Sequence, residues 1–337
     1  MSVAGGDAVR CYVLGAGFSK ACGLPLASEL TRVVFEHVRQ DQQDFRPDMP
    51  AAWLQLVKNL YPDCNFAQVW PDFEDLITVL DEWERYRLAY QGPANGPDPQ
   101  SPAHLKGVLL RHLRWLLCEL TSRCPKEGWE LLQHFVKAVA EHGDTVVSFN
   151  WDVLLEIACR ELGVSVSYGG HVADGLQVAK PHGSLNLAQR KDEAWEKERG
   201  AFNVRDVFID YEAGGFVAVR AEDPADALNR TVSPFPFSLV EPTARKMYDS
   251  PWLDLQWRRA LDMLRQADEI IIIGYSLPPL DFRPRVLFQA AVVDREPRIR
   301  LVAPNADDLA RKNYQPYIRV RIEPVATSWQ EWFAREG

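Results

Sequence analysis

The chain has 337 residues and carries 38 Lys and Arg against 47 Asp and Glu, a formal net charge of −9. An acidic surface repels phosphate, so direct binding to nucleic acid or to an anionic membrane is not expected. With 47% hydrophobic and 25% charged residues, the composition is that of an ordinary globular protein. It excludes disorder as the main property of the chain.

Membrane insertion and disulfide bonding are not expected either. The longest apolar stretch, Glu269–Gly274, is far shorter than the roughly 18 residues of a membrane span. The first residues show no basic leader before an apolar run, so we expect no signal peptide and a cytoplasmic protein. The six cysteines form no Cys-x-x-Cys pair, which predicts buried thiols and no metal site.

The N-terminal segment predicts a strand, a glycine turn and a helix. Arg10–Gly15 is a short apolar run, two glycines follow in Gly15-Ala-Gly17, and Leu26–Val38 has amphipathic periodicity.

From about Pro50 to His142 strand signals fade and helical faces replace them. The clearest faces are Leu105/Leu109/Leu113/Leu116 and Leu132/Phe135/Val136/Val139. We therefore predict one domain over residues 1–337 with a helical insertion over residues 50–142. The proline-rich segment Gln91–Pro102 predicts a loop within that insertion.

Strands alternate with helices after the insertion. The predicted strands are Thr145–Phe149, Val178–Pro181, Glu269–Gly274, Arg298–Ala303 and Val320–Glu323. The predicted helices are Asp152–Leu162, one carrying Leu253/Trp257/Leu261/Leu264, Arg283–Val293, Asp307–Tyr314 and Ser328–Arg335. Asn186–Ser250 is interpreted as loops and short elements. The alternation predicts an α/β fold with a mostly parallel sheet covered by helices on both faces.

Ligands of such sheets bind beyond the carboxyl ends of the strands, so the residues after each strand are candidates for chemistry. Gly15-Ala16-Gly17-Phe18-Ser19 favours a phosphate, because glycines admit backbone N–H groups and the helix start adds its dipole. A tight turn with no ligand is the alternative. Gly274 and Ser276, after a second buried strand, are similar, and Asn305 follows a third.

Three polar residues at strand ends are candidate catalytic groups. Asn150 has an amide that can hold a sugar hydroxyl or a water without competing for its proton. Asp152 suits either catalysis or the cap of the following helix. His182 can accept a proton near neutral pH, and a structural role is the alternative.

Taken together, these segments resemble the sirtuin-like NAD-binding family. The ordered motifs are Gly15-Ala-Gly-Phe-Ser19, Gly23-Leu-Pro25, Phe149-Asn-Trp-Asp152, Lys180-Pro-His-Gly-Ser184 and Gly274-Tyr-Ser-Leu-Pro278. The resemblance implies a Rossmann-like fold, with Asn150, Asp152 and His182 around the nicotinamide ribose. It also implies pyrophosphate contacts at Gly15, Ala16, Gly17, Phe18 and Ser19, with further phosphate and ribose contacts at Gly274, Ser276 and Asn305.

Two departures separate the chain from the protein deacetylases of that family. It lacks the paired Cys-x-x-Cys motifs of their zinc ribbon, and Leu26-Ala-Ser follows Pro25 where they have Asp-Phe-Arg. The chain is more similar to the bacterial sirtuin-like antiphage proteins that hydrolyse NAD. We therefore expect NAD as substrate, no metal, and no removal of acetyl groups from lysine.

The predicted activity is cleavage of the nicotinamide–ribose bond of NAD+ to nicotinamide and ADP-ribose, as the toxic effector of an antiphage system. A non-catalytic NAD or ADP-ribose sensor and an ADP-ribosyl transferase or cyclase are the alternatives. Because the motifs use nearly the whole chain, we expect control by homo-oligomerisation or by an activating partner protein, such as a short Argonaute or a helicase-type ATPase. The helical insertion is the predicted contact surface.

Overall fold

A computed structural model describes residues 8–40, 49–92, 101–169, 175–189, 212–213, 216–218, 237–239, 251–279 and 281–336. These residues form two compact units, one of Leu24–Ser122 and one of the chain before and after it. Most of the predicted loop Gln91–Pro102 and of the segment Asn186–Ser250 lies outside the described residues. The assignment of one domain with an insertion stays a prediction.

The strands of the described residues all belong to the unit outside Leu24–Ser122. They are β1 (Arg10–Leu14), β2 (Thr145–Ser148), β3 (Val166–Ser167), β4 (Leu176–Ala179), β5 (Gly183–Gln189), β6 (Glu212–Ala213), β7 (Phe216–Ala218), β8 (Phe237–Leu239), β9 (Glu269–Ile273), β10 (Arg298–Val302) and β11 (Ile322–Ala326). Seven of them form a sheet in the order β11-β10-β9-β1-β2-β4-β3, with every neighbouring pair parallel. The other four form an antiparallel sheet in the order β6-β7-β5-β8.

Helices cover the parallel sheet on both faces. In chain order the described helices are α1 (Ala16–Ser19, followed by a 3₁₀ turn Lys20–Cys22), α2 (Ala27–Gln40), α3 (Met49–Leu60), α4 (Phe73–Gln91), α5 (Pro102–Ser122), α6 (Lys126–His142), α7 (Leu154–Glu161), α8 (Pro251–Gln266), α9 (Phe282–Val292), α10 (Ala306–Leu309, continuing as a π-helical turn Ala310–Tyr314) and α11 (Trp329–Glu336). Successive residues of β1 point to opposite faces. Tyr12 packs on Phe135 of α6 and Trp332 of α11, whereas Val13 belongs to the core cluster that includes Leu264 of α8 and Phe288 of α9. The predicted α/β fold, with a parallel sheet between helices, is confirmed.

Three predicted boundaries are wrong for local reasons. β4 ends at Ala179 and not at Pro181, because the Lys180 N–H donates to Gln256 Oε1 (3.0 Å) and a proline has no N–H. α7 begins at Leu154 and not at Asp152, whose side chain accepts from the Leu154 N–H. β11 spans Ile322–Ala326 and not the predicted Val320–Glu323. It includes Pro324, which a strand tolerates at the edge of a sheet.

The unit Leu24–Ser122 is built from helices α2 to α5, and both α2 and α4 pack on α5. Leu105, Leu109, Leu113 and Leu116 are buried on α5, as their spacing predicts. The segment 126–142 is also helical but belongs with the parallel sheet, where Leu132 and Phe135 are buried. Across the described part of the chain, no helix combines the length and hydropathy needed to span a bilayer.

Candidate functional site

The predicted site segments follow four neighbouring strands. β9, β1, β2 and β4 are adjacent and parallel, so their carboxyl ends lie at the same edge of the sheet. Gly274 follows β9, Gly15 follows β1, Asn150 follows β2 and His182 follows β4. Residues far apart in sequence are therefore brought to one edge by strand order alone.

The two glycine turns pack backbone against backbone. The N–H groups of Gly15 and Gly17 donate to the carbonyls of Ile273 and Gly274, both at 3.0 Å. A Cβ on Gly17 would lie 2.7 Å from the Gly274 Cα, and one on Gly274, whose φ is +63°, would lie 2.5 Å from the Gly17 Cα. Glycine is therefore required here by packing. A pyrophosphate contact by Gly15–Ser19, which stays a prediction, would need groups other than these two N–H groups.

The side-chain nitrogen of Asn150 is hydrogen-bonded within the protein, which leaves its amide oxygen for another partner. Its Nδ2 donates to the Gly15 carbonyl (2.9 Å) and to Ser19 Oγ (3.0 Å). Because a carbonyl can only accept, the nitrogen must be the atom that faces Gly15, and both amide hydrogens are used. Asn150 is half-buried, and it can offer Oδ1 as an acceptor to a hydroxyl or a water.

Ser19 links Asn150 to Asp152. Its hydroxyl accepts from Asn150 and donates to Asp152 Oδ2 at 2.7 Å, while Asp152 Oδ1 accepts from the Leu154 N–H at 3.2 Å. Ser19 and Asp152 are both buried. The N-cap of α7 is Val153, so the Asp152–Leu154 contact is a turn one residue before the cap, and neither role predicted for Asp152 is established by it. The same carboxylate fixes Ser19 and through it Asn150.

Burial raises the pKa of the Asp152 carboxyl, with the Lys180 charge opposing the shift. A carboxyl with a raised folded pKa contributes stability below its unfolded pKa and loses that contribution as the pH rises through the folded pKa. We therefore expect Asp152→Asn to gain stability relative to the wild type between pH 4 and pH 8. Thermal unfolding of both proteins across that range measures the difference.

Asp294→Asn is the control with the opposite sign. A hydrogen bond from Arg265 lowers the pKa of Asp294, so the wild type should lose stability relative to this variant as the pH falls. If the gap between Asp152→Asn and the wild type does not change with pH, the Asp152 carboxylate carries no burial cost.

Lys180, a member of the Lys180-Pro-His motif, is buried and is the centre of a hydrogen-bond network that includes the Asp152 backbone. Its ammonium donates to the Asp152 carbonyl (2.5 Å), Ser184 Oγ (2.7 Å) and Glu156 Oε1 (2.9 Å), which uses all three of its hydrogens. The Tyr168 hydroxyl donates to the same Glu156 oxygen at 2.7 Å. Lys180 therefore ties the segment after β2 to the segment after β4.

His182 is buried against aromatic rings. Its ring meets that of Phe149 edge-on, with 4.9 Å between centroids, and lies 6.0 Å from that of Trp257. The Trp151 indole donates to the His182 carbonyl at 3.2 Å, a second tie between the two segments. His182 Nε2 lies 3.9 Å from a carboxylate oxygen of Asp281, a residue that the sequence analysis did not single out.

Ser276 and Asn305 are exposed at the ends of β9 and β10. The Ser276 carbonyl accepts from Asn313 Nδ2 at 2.7 Å. Their predicted ribose and phosphate contacts stay predictions. Among the described residues, no group of three or more His, Cys, Asp or Glu side chains is arranged to hold a metal ion. The absence of a metal from the reaction also stays a prediction.

The fold and the strand-end site define an α/β protein with a Rossmann-like parallel sheet. No protein-family model matches the chain, and no curated protein matches it. Among solved structures it is similar to a Sir2–p53 peptide–NAD+ complex, with 13% identity, 97% of this chain and 91% of the other covered, and a TM-score of 0.39. It is also similar to a Sir2 homologue–NAD complex, with 14% identity, 93% and 82% covered, and a TM-score of 0.36.

Proposed function

We propose that this protein hydrolyses NAD+ at the nicotinamide–ribose bond. The observation that carries the proposal is the orientation of the Asn150 amide. Its nitrogen donates to Gly15 and Ser19, so Oδ1 can accept from a ribose hydroxyl or a water. His182, a group able to accept a proton, follows the next strand of the sheet and is tied to the same segment through Trp151. The ordered motifs that resemble the sirtuin-like family favour NAD as the substrate of this pair.

The leaving group needs no protonation by the protein, because nicotinamide departs as a neutral molecule from a pyridinium. The bond between the anomeric carbon and the ring nitrogen breaks, water adds at that carbon, and one proton of the water must leave. Asn150 would hold the ribose hydroxyls or the water, and His182 would orient the water or accept its proton. Asp152 would act through Ser19, keeping the Asn150 amide in place.

Product analysis tests the proposal most directly. Purified protein is incubated with NAD+ in water enriched in ¹⁸O, the products are separated, and their masses are measured by mass spectrometry. We expect nicotinamide and ADP-ribose with one ¹⁸O atom at the anomeric position. A cyclised or protein-linked ADP-ribose would indicate a transferase or cyclase, and NAD+ bound but recovered intact in every assembly state would indicate a sensor.

The proposal extends to a role as a toxic effector of bacterial antiphage defence, acting in the cytoplasm and controlled by assembly of the chain with further copies of itself. The unit Leu24–Ser122 supports a contact surface, because Trp83, Tyr86 and Tyr90 of α4 are 51%, 64% and 84% exposed. Large exposed aromatic side chains in one patch are typical of interaction sites. We name these three residues the α4 patch.

Replacing the α4 patch by serine is expected to convert the assembled protein to monomer and to reduce NAD+ cleavage at least tenfold. Light scattering during size exclusion gives the mass, and nicotinamide release gives the activity. Arg85→Ser, an exposed change on the same helix, is the matched control. A wild-type monomer that cleaves NAD+ at full rate at micromolar concentration would contradict control by assembly, and a monomer activated only by another protein would indicate a separate partner.

A further inference from the structure

His182 faces a buried carboxylate that no motif includes. His182 Nε2 and Asp281 Oδ1 are 3.9 Å apart, and the two residues are 7% and 3% exposed. A charge this well buried interacts with its neighbours more strongly than one in water. Among the described residues, Asp281 is therefore the acidic group best placed to act on the imidazole.

Asp281 stands at the N-cap of α9, where an aspartate ordinarily binds the first N–H groups of the helix. Within the described structure its side chain makes no such bond. Its Oδ2 instead accepts from the Tyr275 hydroxyl at 2.8 Å. The carboxylate is thus turned away from its own helix, with one oxygen on Tyr275 and the other toward His182.

Leu277, which lies between Tyr275 and Asp281 in the chain, is held in a costly backbone conformation. Leu277 has a φ of +50°, the only positive value at a non-glycine residue in the described part of the chain, and its side chain is fully buried. Such a backbone state costs on the order of 1–3 kcal/mol and persists where the surroundings enforce it. Here it accompanies the placement of Asp281 beside the Tyr275 hydroxyl.

Tyr275 is itself fixed by two contacts. Its ring stacks on Phe149 with 4.4 Å between centroids and an angle of 16°, and its carbonyl accepts from the Tyr314 hydroxyl at 2.6 Å. Phe149 also meets the His182 ring. The Tyr275 hydroxyl and the imidazole are therefore positioned by the same aromatic side chain.

We propose that Asp281, oriented by Tyr275, is a positioning residue for His182. This inference rests on the proposed function. The carboxylate keeps the imidazole hydrogen on Nε2, which leaves Nδ1 as the nitrogen that accepts a proton from water, and it stabilises the imidazolium formed in that step. At 3.9 Å the charge of the carboxylate already favours the hydrogen on the nitrogen that faces it, and contacts of this length in ligand-free enzymes commonly tighten in the complex.

The kinetic test uses Asp281→Asn, Tyr275→Phe and Asp281→Glu. Asp281→Asn keeps the shape and removes the charge, so kcat for NAD+ cleavage should fall about 10–100-fold while KM stays within about threefold. Tyr275→Phe keeps the stacked ring and should lower kcat about 3–10-fold, and Asp281→Glu should recover part of the activity. Asp294→Asn, which removes an exposed carboxylate just beyond α9, is the matched control and should stay within twofold.

A second measurement separates this inference from the proposed function. The ¹⁵N spectrum of the imidazoles at pH 8, assigned by comparison with His182→Gln, reports the His182 tautomer with no need for turnover. We expect the Nε2-protonated form in the wild type and a mixture in Asp281→Asn. That change in a protein which does not cleave NAD+ would refute the proposed function and keep the Asp281–His182 pair. An unchanged His182 spectrum, or an Asp281→Asn kcat within twofold of the wild type in an active protein, would overturn the pair.

Discussion

Asn150→Ala and His182→Ala are each expected to reduce NAD+ cleavage by about 10²–10⁴-fold. The first removes the oxygen that would orient a ribose hydroxyl or a water, and the second removes the group that would orient that water or accept its proton. Initial rates of nicotinamide release at saturating NAD+, measured on the assembled protein, give the effect.

Matched controls separate chemistry from folding. His142→Ala removes an exposed histidine at the end of α6, and Asn59→Ala removes an exposed asparagine on α3; both should stay within twofold of the wild-type rate. Because Asn150 also binds Gly15 and Ser19, thermal unfolding of Asn150→Ala must be followed in parallel. If both site variants release nicotinamide at the wild-type rate, Asn150 and His182 are not the catalytic groups.

The sequence predicted the sheet well because its central strands are buried on both sides. A strand of this kind is a continuous apolar run, and β1, β9 and β10 each end within one residue of the predicted position. The rule that ligands bind at the carboxyl ends of parallel strands then selected the residues after them. The order of the strands in the sheet cannot be predicted from local sequence patterns. It places the four site segments at the ends of neighbouring strands.

The side-chain chemistry of the site was harder to predict, because contact partners come from distant elements. An aspartate before a helix, such as Asp281, is typical of a cap, and nothing local shows that its carboxylate binds Tyr275 instead. Ser19 is a natural phosphate ligand in a glycine loop, yet its hydroxyl hydrogen is directed to Asp152, which is 133 residues further along the chain. One local signal was available: a lysine directly after the apolar strand β4 needs a buried partner, and Lys180 has one in Glu156.

Lys180→Met is expected to lower the free energy of unfolding by about 3–5 kcal/mol, because it leaves a buried carboxylate without its cation. The Lys180 and Glu156 side chains are 2% and 7% exposed, and 2.9 Å separates Nζ from Oε1. The same change removes the donors to the Asp152 carbonyl and to Ser184, so the site segments lose their link as well. Urea unfolding followed by tryptophan fluorescence measures the loss.

The reason for the loss is tested by removing the charge of the partner too. In the double variant Lys180→Met/Glu156→Gln the charge of Glu156 is removed together with its cation, and the amide oxygen can still accept from Tyr168, so a large part of the stability should return. Lys137→Met is the matched control, because the Lys137–Glu141 pair is more than 60% exposed on both sides and such pairs contribute about 0–1 kcal/mol. A Lys180→Met loss no larger than that of Lys137→Met would show that water or another residue compensates Glu156. A double variant as unstable as Lys180→Met would place the stabilisation in the bonds to Asp152 and Ser184, and not in the ion pair.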